Sequence, residues 1–211
     1  MENQQHTLRA EIYLVLSALF RQAPSQEMIH FLSELETEQS QSAMQNAWLD
    51  LQTAASQSDQ EALNEEFQEL FIGIGRGEVM PFASWHLTGS LMEKPLASIR
   101  HDLEILGLER EQDVKEPEDH FSALCEVMSL LTEEDEELQQ VFFNKHIATW
   151  FNSFTKQIKS AQHADFYLPV ASLVDAFMTL EQVRFSENLQ SGKNKLKIDV
   201  KNVTEYEQAQ Q

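Results

Sequence analysis

Apolar residues recur every three to four positions along almost the whole chain, and that period is met by packed amphipathic helices. Leu8, Ile12, Val15, Leu16 and Leu19 mark a first helix over about residues 6–22. Pro24 breaks it, and Ser25 caps a second with the stripe Met28, Ile29, Leu32 and Leu35. Met44, Trp48, Leu51 and Ala55 mark a third, and Asp59 caps a fourth carrying Leu63, Phe67, Leu70 and Phe71. The period stops at FIGIGRGEVMPFASWHL, residues 71–87, and returns at Pro95, a good first-turn residue. Leu96, Ile99, Leu103 and Leu106 form that helix's stripe, with Gly107 as its C-cap.

Residues 108–116 are polar and read as a hinge or linker. Pro117 is expected to open a helix reaching about Leu131, and Thr132 to cap another carrying Leu138, Val141 and Phe142. After a kink near Asn144, His146, Ile147, Trp150, Phe151, Phe154 and Ile158 make a further apolar face. A last helix is expected over about 166–185. From Ser186 periodicity is lost, so 186–211 reads as a loose tail, in which KLKIDVKNV alternates enough for a short strand or a partner-ordered segment. The expectation is an all-α fold, one globular helical domain of about nine or ten helices. Its parts are 1–107, which includes the Gly-rich loop 72–84, the hinge 108–116, the part 117–185 and the tail. The hinge also permits the two halves to be exchanged in a homodimer.

Only six glycines and five prolines interrupt these stripes, while thirteen Phe and three Trp supply core bulk. The formal charge of −20 disfavours nucleic acid and anionic lipid and favours a basic partner. Residues 101–140 alone hold fourteen Asp or Glu against Arg110 and Lys115. One cysteine, Cys125, excludes an intramolecular disulfide. The N-terminus lacks the basic and apolar regions of a signal peptide, and no apolar run approaches a membrane span, so the cytoplasm is the expected location.

Gly73, Gly75 and Gly77 invite a comparison with phosphate-binding turns, but a helix rather than a strand precedes them and a proline-containing loop follows. A tight loop needing unusual backbone angles, a wall of a cleft, and a weak nucleotide site are the alternatives. No HExxH or multi-cysteine pattern supports a metal. His120 and Cys125 lie about 140° apart on one helix, which excludes a Cys–His couple and leaves Cys125 as a buried thiol. In EPEDH, Glu118 and Asp119 are expected in a first helical turn, where the dipole favours carboxylates. His120 is expected on a stripe with Leu124, Val127 and Leu131. There it either packs across the bundle or, with Asp119, rims a peptide or ligand groove. The run EEDEE, residues 133–137, is a solvated face that could also steer a basic segment. Trp85 is the aromatic residue expected to be partly exposed and available for binding.

Four stretches in this order resemble the TorD/DmsD family of chaperones for molybdenum-containing reductases, nearest its TorD branch: FQELFIGIGRGEVMPFASW (67–85), EPEDH (116–120), FFNKHIATW (142–150) and DFYLP (165–169). Leu70, Phe71 and Gly73 match the family's LFxG element, and Pro81 and Ser84 belong to its PYxSxY element. Phe82 and Trp85 fall at or near the tyrosines of that element, so a hydroxyl role there is lost or moved. The Pro-Asp-His signature falls on Pro117, Asp119 and His120. The FFxxHLxxW element falls on Phe142, Phe143, His146 and Trp150, with Ile147 in place of leucine.

The resemblance implies a non-enzymatic, cytoplasmic protein without a cofactor of its own. Its partners would be apo trimethylamine N-oxide reductase and the twin-arginine leader of that enzyme, kept competent for molybdenum-cofactor insertion before export. Asp119, His120, Glu118, Trp85, Pro81 and Ser84 would then serve client binding. GTP, associated with the family, is a weak candidate at Gly73–Gly77. An enzyme using Asp119 and His120 as an acid–base pair and a leader-independent helical adaptor are the alternatives.

Overall fold

The computed structural model describes residues 2–36, 40–73, 76–111 and 114–192, with the backbone alone in 2–7 and 187–192. Among them are ten α-helices: α1 (Glu2–Arg21), α2 (Gln26–Ser33), α3 (Ala43–Gln57), α4 (Gln60–Phe67), α5 (Ala83–Thr88), α6 (Lys94–Leu106), α7 (Phe121–Leu131), α8 (Glu136–His146), α9 (Phe151–Lys159) and α10 (Tyr167–Gly192). A π-helical turn, Gln68–Ile72, extends α4. The all-helical reading holds: the β-structure among the described residues is one isolated bridge, Phe82 with His120.

Local chemistry sets most helix ends. The side chains of Ser25, Ser42 and Asp59 accept hydrogen bonds from the backbone N–H of Met28, Gln45 and Ala62. Pro95 sits in the first turn of α6, and Gly107 closes it in the left-handed region at φ 69°. Other ends differ from expectation. Thr132 is the C-cap of α7, its hydroxyl donating to the Ser129 carbonyl, and Asp135 caps α8 through the Glu137 N–H. The break between α8 and α9 falls after His146 rather than near Asn144. With no proline or glycine to stop it before Gly192, α10 continues past Ser186, so residues 186–192, expected in the tail, are helical. The KLKIDVKNV segment lies outside the described residues.

The stretches before and after the linker share one core. α1 packs along α7, and α10 lies against α3 and α9. Phe20 of α1 is fully buried among the rings of Phe71, Phe121, Phe154 and Tyr167, with centroids 5.1–5.8 Å away. Burying one such ring contributes about 1.5–3 kcal/mol. A buried polar cluster adds register: Arg9 forks onto Glu181 at 2.9 and 2.7 Å, and the Tyr13 hydroxyl donates to the same carboxylate at 2.8 Å. Burial opposes the charge on Arg9, and Glu181 more than offsets it, so the Arg9 pKa moves up.

Candidate functional site

The PFASW and EPEDH stretches meet in space. Across the Phe82–His120 bridge, Ala83 N–H donates to the Asp119 carbonyl at 2.9 Å and Phe121 N–H to the Pro81 carbonyl at 2.8 Å. The Asp119 carboxylate accepts from Ser84 N–H at 2.9 Å. Ser84 is the second residue of α5, so Asp119 caps α5, a helix distant in sequence.

This corrects the expected position of EPEDH inside a first helical turn. Residues 117–120 form a turn closed by His120 N–H on the Pro117 carbonyl at 3.0 Å, and pairing with Phe82 holds His120 extended. α7 therefore begins at Phe121, with His120 as its N-cap rather than on the Leu124 stripe. His120 Nδ1 accepts from Ser122 N–H at 3.1 Å and lies 2.7 Å from Ser122 Oγ, which places the ring proton on Nε2. Burial, followed by the positive charge of Arg21, pushes its pKa down to about 3, so the ring is neutral near pH 7.

Asp119, His120, Pro81 and Ser84 are all buried. Asp119 Oδ1 and Ser84 Oγ have no hydrogen-bond partner among the described residues. Glu118 of the same turn goes the other way. Its Oε2 accepts from Arg100 Nε at 2.9 Å and lies 2.9 Å from Arg100 Nη2, and its Oε1 lies 3.5 Å from Arg110 Nε.

Glu118 borders a groove of about 260 Å³ between α6, the linker and α7. Leu103, Leu108, Val114, Val127 and Leu130 give it apolar lining, and Leu130 is 53% exposed. Glu109, Glu111, Glu116, Glu118 and Glu126 stand round it, with Arg21 and Arg110 paired among them. Of these residues the EPEDH motif contains Glu116 and Glu118, and Glu118 alone was expected to bind a client. Leu130 carried a readable signal: beside Leu131, it sits off the face of α7 that packs on α1.

The remaining motifs have structural work. Trp85 is half-buried, with the Arg76 guanidinium 4.7 Å from its ring centre. Gly73 has φ 59°, and a Cβ there would lie 2.3 Å from the Arg76 carbonyl oxygen. A Cβ on Gly77 would lie 2.4 Å from that of Leu70, while Gly75 lies outside the described residues. Close backbone approach thus explains both described glycines. In FFNKHIATW, His146 Nε2 meets Asp102 at 2.6 Å, tying α8 to α6, and Trp150 Nε1 donates to the His146 carbonyl at 2.6 Å. Burial lowers the His146 pKa although Asp102 pulls it up. DFYLP begins α10, and Glu66 caps that start, its carboxylate accepting from the N–H of Asp165, Phe166 and Tyr167 at 2.8–3.0 Å. Glu66 lies just outside the FQELFIGIGRGEVMPFASW stretch and belongs to none of the sequence motifs. Cys125 is buried, and burial pushes its thiol pKa well up, leaving it inert. Among the described residues no three His, Cys, Asp or Glu side chains are grouped to hold a metal ion, and no helix is long and apolar enough to cross a membrane.

Comparison with known proteins decides the family. A family model described as the nitrate reductase delta subunit matches residues 37–156. A TorD chaperone of Vibrio atlanticus is 30% identical over 198 residues, covering 82% of this chain and 92% of the relative. The chain belongs to the TorD family of chaperones. A second family member, a TorD chaperone of Vibrio cholerae, is 28% identical over 206 residues, covering 86% of this chain and 94% of that one. The fold is also that of a candidate redox enzyme maturation protein from Archaeoglobus fulgidus, at a TM-score of 0.56 and 22% identity over 82% of this chain and 93% of that one. As a member of the TorD family the chain is a chaperone and not an enzyme, so the acid–base role for Asp119 and His120 is set aside.

Proposed function

We propose that this chain is a cytoplasmic maturation chaperone for a molybdenum-cofactor reductase, trimethylamine N-oxide reductase, and that it receives the enzyme's twin-arginine leader in the groove beside Glu118. The observation that carries the reading is an apolar floor, Leu103 to Leu130, ringed by five glutamates. A leader is basic at one end and apolar further on, so each half meets its complement there. The net charge of −20 steers such a segment inward from a distance. Asp119 and His120 act behind the rim, holding the turn that presents Glu118. Pro81 and Ser84 act with them, through the carbonyl and amide that hold this turn. A guanine nucleotide forms no part of the reading; the backbone alone requires glycine at positions 73 and 77, with or without a nucleotide.

The test is calorimetric titration with a synthetic leader of the reductase and with its double-lysine version. Saturable binding, weakened by the lysines and by Leu130→Asp, is expected. A chain that binds the leaderless apoenzyme equally well and ignores the leader would overturn it in favour of a leader-independent adaptor.

A further inference from the structure

We infer that the groove is gated by the chain's own arginines: Arg110 and Arg21 hold Glu118 and Glu126 until two arginines of an incoming segment replace them. The inference rests on the leader-binding reading and specifies how that site is regulated.

Glu118 is held asymmetrically. Arg100 donates from Nε to Oε2 at 2.9 Å, with its Nη2 also 2.9 Å from that oxygen, so its whole hold is on one side of the carboxylate. Oε1 is left with Arg110 Nε at 3.5 Å, longer than a good hydrogen bond. Arg110 spends its Nη1 instead on the linker carbonyls of Val114 and Glu116, at 2.9 and 3.2 Å. The guanidinium is therefore a loose resident on one oxygen of a carboxylate that is itself only 14% exposed. Glu126, also at the groove, is paired with Arg21, and both of these side chains are more than two-fifths exposed.

The exposed Arg21–Glu126 pair contributes little, and the Arg110–Glu118 contact is too long for a good hydrogen bond, so each resident is readily exchanged. Replacing one guanidinium by another leaves each carboxylate paired throughout. Two residents on two carboxylates of one apolar-floored groove match an incoming pair of arginines. A lysine ammonium cannot reproduce the planar fork, so exchange selects arginine.

Calorimetry with the synthetic leader on Arg110→Gln, Arg21→Gln and Lys94→Gln tests the gate. Lys94 is exposed on the first turn of α6 and lines no part of the groove, so it controls for the lost charge. Each gate variant is expected to bind the leader about two- to fivefold more tightly than wild type, beyond any gain in the control. The double-lysine peptide should gain less. Arg21→Gln leaves the linker bonds intact, so it keeps the test decisive if Arg110→Gln disturbs the linker. Tightening by either variant beyond the control supports the gate. Leader binding by wild type with no such tightening in either variant overturns it while leaving the leader reading in place. Absence of leader binding in wild type and both variants overturns both.

Discussion

His120 should make the fold acid-labile in a window set by its own burial. Its pKa falls from an ordinary 6.5 to about 3 because the folded chain buries the ring, with Arg21 adding a like charge. Below about pH 6.5 the unfolded chain takes up a proton that the folded chain refuses, so stability falls as pH falls through this window. The contribution is fully present above the unfolded value and is lost progressively down to the folded one. The gap corresponds to roughly 4–5 kcal/mol at full protonation, and roughly 2 kcal/mol is gone by about pH 5. His120→Asn isolates the effect, since Asn is a favoured N-cap that can keep an acceptor for the Ser122 N–H without titrating there. Urea unfolding of both proteins near pH 7.5 and pH 5 is the assay. Wild type should lose about 2 kcal/mol more than the variant over that interval. Parallel losses would refute the argument, because other histidines and the carboxylates titrate in both proteins.

Three further outcomes follow from the geometry. Gly73→Ala should cost more than Gly107→Ala as read by thermal melting. Both need positive φ, worth about 1 kcal/mol, but a Cβ at Gly73 also strikes the Arg76 carbonyl, whereas nothing lies within 4 Å at Gly107. Asp119→Ala should destabilise the chain by about 1–3 kcal/mol by leaving the Ser84 N–H uncapped, and unchanged chemical denaturation would refute the long-range cap. Glu66→Gln should lower Tm by about 2–4 °C for each kcal/mol lost, because an amide offers one acceptor oxygen where the two carboxylate oxygens accept from three backbone N–H groups.

Much of the helical layout was legible because the caps are local. Ser25, Asp59, Pro95 and Gly107 act within four residues of themselves, and each stands where the sequence predicts a helix end. α5 was not legible for the opposite reason. It is six residues long and its capping carboxylate, Asp119, comes from 35 positions away. The same distance hid the orientation of EPEDH: its residues were noticed, but whether they face inward depends on a bridge to Phe82 that no local period encodes. A peptide groove was expected with Asp119 and His120 on its rim, yet both are buried and Glu118 borders the groove instead. The groove's position was not legible, because its lining is drawn from the end of α1, the end of α6, the linker and α7.

The joint between Pro81–Ala83 and Asp119–Phe121 is made largely of main chain. An alanine scan leaves a peptide carbonyl and a peptide N–H in place, so side-chain replacement at Phe82 or Phe121 leaves its two backbone bonds able to form. Genetic surveys built on single side-chain changes would therefore undervalue it. Proline at Ala83 or Phe121 would reveal it, since each substitution removes one of the two donors. The two main-chain bonds of this joint thus place no demand on side-chain identity, whereas Asp119, His120 and the buried Phe121 act there through their side chains.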